Sequence, residues 1–425
     1  MRSTRYCFAC LLLAICFGII SASVCMGSNR PADTLQLFGV GARADAMGDA
    51  FVAVANDATA AFWNPAGLAL LPNAGVTAVT KTLPGTSGKL TFKNSNLSEY
   101  AKLSMMDLNP TNTSARSDSS TGTFYAATAP IGKGFGKNGT IGISHTLAGY
   151  FDSDFAIDGT YAISVPGSGE LQAMNYMSHT KEQIDQTAIT YGWASSNSLK
   201  LGFGIVMAEA QINSTGLATL TYDEPDPGVP GSTSRSIMAP TGINSDGKGY
   251  GFSLGTLWSP KWGKAGAWTV GASYMSKITF DSIDTASFGD ESPDKILLGL
   301  SYKNQPSGNG SNNHVLWALQ VSRSGSANTD LGDQLSRSAV WNFNIGGEYE
   351  IHKSGNSSGS SLYFPIRYGM FTNKSPNNNV YGDETWLTFG LGASRSDNVW
   401  QAELALQHAL QNEQSLYSLS AVYSF

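Results

Sequence analysis

The chain ends on Leu416-Tyr417-Ser418-Leu419-Ser420-Ala421-Val422-Tyr423-Ser424-Phe425, and this stretch decides the fold. Its residues alternate with a period of two, so that Tyr417, Leu419, Ala421, Tyr423 and Phe425 share one side of an extended strand. The other side is mostly small and polar. A strand that meets lipid on one face and a polar lumen on the other has this pattern. We therefore expect a transmembrane β-barrel whose wall closes on this strand.

The same alternation recurs upstream, in segments separated by turn-rich stretches. Each segment is close to the 9–11 residues that a tilted membrane strand needs. Fourteen antiparallel strands are predicted, at 74–82, 122–131, 139–150, 186–194, 200–212, 249–259, 267–279, 294–303, 314–322, 340–351, 362–370, 385–393, 399–408 and 416–425.

The connections between these segments alternate in length. The short ones are rich in Gly, Ser, Asn and Lys, and the long ones include 83–121, 151–185 and 213–248. Outer-membrane barrels have short turns on the periplasmic side and long loops on the outer side. The sorting of the connections by length therefore supports a barrel over a soluble β-sandwich or β-solenoid, although the strands of those folds also alternate apolar and polar residues.

The strand faces agree with a lipid-facing wall. In 340–351, Phe343 and Ile345 share one side while Asn344 and Glu348 share the other. Trp and Tyr cluster near the predicted strand ends, as the interfacial girdles of a membrane protein do.

The amino-acid composition excludes several classes of function. Of the 425 residues only 14% are charged, against about 25% in an average soluble protein. The net charge of −6 gives no footprint for nucleic acid. All four cysteines lie at or before Cys25, so we expect neither a disulfide framework nor a thiolate metal site nor a catalytic cysteine.

Residues 1–27 have the pattern of a secretory signal peptide. Arg2 and Arg5 precede an apolar run, Phe8 to Ile20, which is too short to span a bilayer, and small residues follow it. Lipidation at Cys25 is the alternative, and Val24 is a poor residue before a lipidated cysteine. The predicted organisation is a signal peptide at 1–27, an N-terminal hatch at 28–73 and a barrel at 74–425.

Residues 34–72 break the strand pattern, because they are rich in Ala and Gly. Short helical character is expected around Ala44 to Ala53, and Asp57 is a plausible N-cap for a further short turn. Such irregular backbone is tolerated at membrane depth only where protein or trapped water satisfies it. We therefore expect it to lie inside the barrel.

This segment resembles the N-terminal hatch of the FadL-type family of outer-membrane transporters for long-chain fatty acids and other hydrophobic compounds. The resemblance rests on Gly41-Ala42-Arg43 with Ala46-Met47-Gly48, on Ala55-Asn56-Asp57-Ala58, and on Asn64-Pro65-Ala66-Gly67-Leu68. Residues 362–425 are similar to the late strands of the family, and a carboxy-terminal Phe425 resembles the end of bacterial outer-membrane barrels that is read by the barrel-assembly machinery.

The resemblance implies passive transport of hydrophobic small molecules across the bacterial outer membrane. The ligand is captured by outer loops and passes beside a movable hatch, and a kink in one strand opens the wall toward lipid. The resemblance does not place that kink in this sequence, and the stretch from Ala208 to Thr215, with Gly216, is one candidate. The hatch motif is Asn64, Pro65, Ala66 and Gly67, and the residues expected to line the ligand path are Phe51, Phe62, Trp63 and Leu68.

Arg367 is expected to point into the lumen beside Glu348 and Glu350. A lumenal salt bridge is the simpler interpretation, and contact with a ligand carboxylate is the sharper hypothesis.

No enzyme, cofactor or metal site is expected, because the five histidines are scattered and none has an evident catalytic or metal-binding partner. The expected partners are a hydrophobic ligand and outer-membrane lipids. Two other functions stay open. One is an interaction or shuttle component of a protein secretion system, and the other is a general porin for polar solutes.

Overall fold

The computed structural model describes residues 39–83, 86–88, 107–117, 120–131, 139–162, 171–222, 230, 235–260, 266–281, 291–304, 314–326, 338–353, 361–374, 383–395, 399–411 and 414–425. The predicted signal peptide at 1–27 and the first part of the predicted hatch lie outside these residues.

Fourteen strands form the wall, and every strand predicted from the alternation is present. They are β1 Gly75–Leu83, β2 Ser120–Ile131, β3 Gly139–Ala162, β4 Leu171–Ala194, β5 Leu199–Tyr222, β6 Arg235–Trp258, β7 Gly266–Met275, β8 Lys295–Asn304, β9 His314–Ser324, β10 Val340–Lys353, β11 Leu362–Asn373, β12 Glu384–Arg395, β13 Trp400–Ala409 and β14 Ser415–Ser424.

The wall closes because its first and last strands pair. β1 and β14 run antiparallel from Gly75↔Ser424 to Lys81↔Ser418, and each remaining strand pairs with its neighbours in sequence. The fold is therefore a closed 14-stranded antiparallel β-barrel, as predicted. One end, where Gly75 and Ser424 lie, carries the short connections and is called the short-turn end; the opposite end is called the long-loop end.

The closing strand has the two faces that its sequence predicts. Tyr423 and Phe425 are 52% and 73% exposed on the outside, whereas Leu416, Ser418 and Ser420 are buried on the inside. The same division holds on β13, where Leu404 faces outward and Glu403 is buried inside the lumen.

Four strands are much longer than predicted. β3, β4, β5 and β6 have 24 residues each, so that each extends about 80 Å. The expectation of outer loops at 151–185 and 213–248 is therefore wrong. Beyond the lipid no apolar face is required, so the alternation that identifies a membrane strand fades although the ladder continues. A further strand, Asp107–Ser117, pairs with the extension of β3, and Thr86–Gly88 pairs with that strand.

The predicted strand 267–279 is interrupted at its long-loop end. β7 ends at Met275, and a two-residue strand, Ile278–Thr279, pairs instead with Glu291–Ser292. The side chain of Ile278 lies over the inner face of β6, where Gly249 leaves room for it. The chain therefore turns inward at this point.

The N-terminal segment lies inside the barrel and contains three short helices. These are α1 Ala42–Ala46, α2 Ala60–Trp63 and a 3₁₀ helix at Pro65–Leu70. They contact the inner faces of the strands, and most of their residues are buried. Among the described residues no helix is both long and apolar enough to cross a membrane. We call residues 39–73 the hatch.

We expect Leu404→Arg to destabilise the folded barrel by about 2–4 kcal/mol, because it places a charge near the middle of the lipid-facing band. Leu410→Arg is the matched control, because Leu410 is similarly exposed but follows the end of β13. Guanidinium unfolding in lipid vesicles measures both. Equal effects of the two substitutions would argue against the assigned lipid face.

Candidate functional site

The first turn of the hatch is fixed by its backbone. The predicted helix around Ala44 to Ala53 is shorter, and α1 ends at Ala46 because Gly48 and Asp49 adopt positive φ values of 61° and 58°. An aspartate in this region of φ/ψ space is uncommon and tolerated better than a bulky residue. The prediction that Asp57 caps a turn is confirmed, since its carboxylate accepts the backbone N–H of Thr59 at 2.8 Å, just before α2.

The Asn-Pro-Ala-Gly motif joins the hatch to the wall. The side-chain oxygen of Asn64 accepts the N–H of Ala66 at 3.2 Å and so caps the 3₁₀ helix, while Pro65 occupies its first position. The amide nitrogen of Asn64 donates to the carbonyls of Val52 at 2.8 Å and Thr256 at 3.1 Å. The side chain of Asn64 therefore both caps a turn and anchors the hatch to β6.

The four residues expected to line a ligand path lie together in the hatch. Phe51, Trp63 and Leu68 are buried in one apolar cluster, and Phe62 packs against it while remaining partly exposed. The ring of Trp63 meets Phe51 and Phe62 edge-on, at centroid distances of 6.0 and 5.5 Å. Three of the four residues therefore form the hatch core. Their role in lining a ligand path stays a prediction.

Wall side chains bond the hatch backbone, which sequence reasoning missed. The side-chain oxygen of Gln320 accepts two consecutive N–H groups, those of Phe51 at 3.0 Å and Val52 at 2.8 Å. Ser301 donates to the carbonyl of Ala53 at 3.0 Å. The wall residues that make such bonds are Lys81, Thr140, Ser301, Gln320, Asn344, Thr388, Gln407 and Ser420. The sequence indicated that these side chains point inward, but it did not indicate which hatch group each of them bonds.

Glycines on the inner wall let the hatch backbone come close. A Cβ built on Gly346 would lie 2.2 Å from the carbonyl oxygen of Met47, and one on Gly202 would lie 2.2 Å from the carbonyl carbon of Pro65. Any side chain at these positions would displace the hatch. The wall glycines on which a Cβ would lie within 3.0 Å of a hatch backbone atom are Gly192, Gly202, Gly255, Gly271, Gly346 and Gly369.

A buried ion network holds the hatch to β10. The guanidinium of Arg43 donates to Glu348 through Nε at 3.0 Å and Nη2 at 3.2 Å. Glu348 also accepts Nε of Arg367 at 2.7 Å, and Arg367 Nη2 lies 2.9 Å from Glu403. The lumenal salt bridge expected for Arg367 is present, with Arg367 2% exposed. The hypothesis that Arg367 contacts a ligand carboxylate stays a prediction.

A second charged cluster lies on α1 and the turn after it. The ammonium of Lys81 on β1 contacts the carboxylate of Asp45 at 2.9 Å, and both are buried. Burial and the nearby Asp45 carboxylate raise the pKa of Asp49 to about 7, although Lys81 acts in the opposite direction. The hatch therefore carries a carboxyl group that titrates near neutral pH.

The hatch meets β1 and β2 through an apolar contact on one flank. Val40 and Ala58 of the hatch pack with Phe124 and Ala126 on the inner face of β2, and Phe62 packs against the same cluster. This apolar contact contrasts with the hydrogen-bonded and ionic contacts that the hatch makes with Lys81 of β1 and with β8 to β14.

The ladder beside this apolar flank ends early. Among the described residues, β2 pairs with β3 only from Ile131↔Gly139 to Phe124↔Thr146, and the pairing of β3 with β4 shifts register between Leu147 and Gly149. By contrast, β5 pairs with both neighbours without a shift from Ala208 to Gly216. The predicted kink at Ala208–Thr215 is therefore wrong, and the irregularity lies in β3. The alternation of residues in β5 gave no reason to distinguish the two strands, because a bulge leaves little trace in sequence.

Within the described residues no group of three or more His, Cys, Asp or Glu side chains is placed to hold a metal ion.

The fold is shared with solved transporters of hydrophobic compounds. The toluene transporter TodX of Pseudomonas putida aligns with a TM-score of 0.52 at 14% identity, covering 92% of this chain and 99% of TodX. The toluene transporter TbuX of Ralstonia pickettii has a TM-score of 0.49 at 13% identity, covering 92% and 99%. A FadL homologue of Pseudomonas aeruginosa has a TM-score of 0.48 at 12% identity, covering 95% and 100%.

At 14% identity, the likeness to TodX establishes the fold alone. TodX shares the barrel fold that the resemblance to the FadL-type family predicts. No family model and no curated protein matches the sequence.

We expect Gln320→Ala to loosen the hatch, because two buried N–H groups lose their acceptor at a cost of about 1–3 kcal/mol each. Hydrogen exchange should become faster at the amides of Phe51 and Val52 while the wall stays protected. Gln211→Ala, on the exposed face of β5, is the matched control and should leave exchange unchanged. Unchanged exchange in Gln320→Ala would contradict the anchoring role.

We expect the seating of the hatch to weaken as pH rises from about 4 to about 7. The pKa of Asp49 is about 7 in the folded protein, above the ordinary aspartate value of about 3.9. A raised pKa means that the folded state binds the proton more tightly, so its contribution is full at low pH and is lost as pH rises through 7. Asp49→Asn should flatten this dependence, and Asn tolerates the positive φ.

Hydrogen exchange of the hatch, corrected for the intrinsic effect of pH, measures the dependence at pH 5 and pH 8. Asp246→Asn, on the exposed face of β6, serves as the control. A dependence that persists in Asp49→Asn would show that another group is responsible.

Proposed function

We propose that the protein is a passive transporter of hydrophobic small molecules, such as hydrocarbons or long-chain fatty acids, in a bacterial outer membrane. The observation that carries the proposal is the hatch, which fills the lumen and presents an apolar flank to β2 next to the end of the β2–β3 ladder. A hydrophobic molecule gains about 0.8 kcal/mol per buried CH₂ group in such surroundings, so that binding needs no catalytic group.

The fold supports this function over the two alternatives. A general porin needs an open, water-filled lumen, whereas most residues of α1, α2 and the 3₁₀ helix are buried between the strands. TodX, whose fold is similar, is a toluene transporter. No feature of the described residues specifically favours a role in protein secretion.

We assign the short-turn end to the periplasm and the long-loop end to the outside. In this orientation β3 to β6 extend beyond the outer leaflet, where a ligand would first meet the protein. Outer-membrane lipids surround the apolar face of the wall, and the barrel-assembly machinery would read Phe425.

The route proposed for the ligand lies between the hatch and β2. The opposite flank is held by Gln320, Asn344, Glu348 and Thr388, so moving the whole hatch would break many buried bonds at once. On the β2 flank only apolar contacts must part, at Phe62, Phe124 and Ala126. The hatch therefore stays fixed on one side while its other side yields.

The function is tested by expressing the full chain in cells that lack their own transporter for hydrocarbons and measuring uptake of radiolabelled toluene and oleate. We expect uptake above that of cells with an empty vector. Mass spectrometry of the purified protein should then find hydrophobic molecules bound to it. A large steady current in planar bilayers, without uptake, would support the porin instead.

The route is tested by a disulfide between β8 and the hatch. A Cβ built on Gly299 lies 3.5 Å from that of Ala53, which suits a disulfide if the nearby Val52 side chain moves. Because this bond fixes the flank that is proposed not to move, oxidised Ala53→Cys/Gly299→Cys should transport normally. Loss of uptake on oxidation, restored by a reductant, would show that the hatch must leave as a body.

Filling the proposed route should block it. We expect Ala126→Phe to lower uptake on the order of tenfold, because overpacking costs about 1–3 kcal/mol. Ala127→Phe is the matched control, since Ala127 is the next residue on β2 and faces outward. Equal uptake in the two variants would exclude this route.

A further inference from the structure

The middle part of the inner face of β4, β5 and β6 carries no charged side chain. The inward positions of this part are Ile184, Gln186, Ala188, Thr190 and Gly192, then every second residue from Gly202 to Ile212, then every second residue from Gly247 to Leu257. All are apolar, glycine, or neutral polar. The charged lumenal side chains Lys81, Glu348, Arg367 and Glu403 belong to other strands.

The part of this face nearer the long-loop end is apolar. Val206, Ala208 and Ala210 of β5 are buried together with Ile278 and Phe280 of the inward-turning segment, and Ile184 and Ala188 of β4 pack against them. This set is called the apolar stripe. It contains no ionised group, so an aliphatic or aromatic molecule that takes the place of Ile278 and Phe280 would meet apolar side chains.

The apolar stripe ends at a group of buried polar atoms without partners. Thr190 is across the ladder from Gly204, which is in turn across from Ser253. A Cβ built on Gly204 would lie 2.5 Å from Oγ of Ser253 and 3.1 Å from Oγ1 of Thr190, so the two hydroxyls flank one point. Both atoms are buried and have no hydrogen-bond partner.

Such atoms are not left unpaired without a penalty. A buried polar group without a partner costs about 1–3 kcal/mol, and native structures contain few of them. Two such hydroxyls around one point, with Thr190 0% and Ser253 3% exposed, indicate a position for a polar atom from outside the chain. A hydroxyl donates or accepts, so the matching atom is a hydroxyl or carbonyl oxygen.

We propose that Thr190 and Ser253 bind the neutral polar end of an amphipathic ligand, a phenol or alcohol hydroxyl, whose hydrophobic body displaces Ile278 and Phe280 and lies along the rest of the apolar stripe. The proposal rests on the proposed transport of hydrophobic molecules and names a preferred class among them. A carboxylate is disfavoured at this position, because no cation is there to offset the desolvation of a buried charge.

Three aromatic probes with the same ring test the proposal. They are p-cresol, toluene and 4-methylbenzoate, which end in a hydroxyl, a hydrogen and a carboxylate. Equilibrium dialysis of the full-length protein in detergent gives the three dissociation constants. We expect 4-methylbenzoate to bind at least about tenfold more weakly than p-cresol.

The variant Thr190→Val/Ser253→Ala should weaken p-cresol binding by about tenfold and leave toluene binding unchanged, because only the hydrogen bonds are lost. Thr77→Val/Ser418→Ala is the matched control, since it removes two buried unpartnered hydroxyls on β1 and β14 and should alter neither ligand. Thr190→Ser should retain p-cresol affinity. Circular dichroism and heat-modifiable migration on gels check that each variant is folded.

Four outcomes of these binding measurements would contradict the proposal. If Thr190→Val/Ser253→Ala leaves p-cresol binding unchanged, the hydroxyls hold only a water molecule. If it weakens toluene equally, they act through packing. If 4-methylbenzoate binds best, the ligand class is wrong while transport stands. If none of the three probes binds and neither toluene nor oleate is taken up by cells, the proposed function itself fails.

Discussion

A chain segment inside a barrel has almost no water to bond with, and the wall must satisfy it. The need for hydrogen-bond partners of the hatch N–H and C=O groups is therefore the constraint that decides how the lumen is lined. Short helices satisfy some of them internally. Side chains such as Gln320, Asn344 and Thr388 satisfy others, and the wall glycines allow the close approach that those bonds require. The hatch and the inner wall are thus one packed unit.

This unit divides the lumen into two unlike sides. The ionised groups of β10 to β13 are paired with each other or with Arg43 of the hatch, so that side holds the plug in place. The middle part of the inner face of β4 to β6, as far as its side chains are described, has no charged residue, and the flank on β2 is apolar. Because a buried ion without its partner is costly, the paired side resists motion, and the uncharged side can exchange one apolar contact for another. A hydrophobic ligand is suited to the second side only.

The sequence predicted the wall well, because lipid imposes a strict period of two on every strand that crosses it. All fourteen strands were found in this way, although β7 ends earlier than expected. The same reasoning failed beyond the lipid, where β3 to β6 continue without an apolar face. Strand pairing there is maintained by backbone bonds that leave little pattern in the side chains.

The site was predicted only where its signal was local. Asn64 and Pro65 could be recognised because the cap and the turn involve neighbouring residues. The anchors could not, since Gln320 meets Phe51 across 269 positions of the chain and Ser420 meets Ala42 across 378. Inward-facing polar residues were visible, but alternation alone does not separate those that bond the hatch from those that await a ligand. To distinguish the two kinds of residue, one must know the register of every strand around the barrel. That register is complete only when the pairing of β14 with β1 is known.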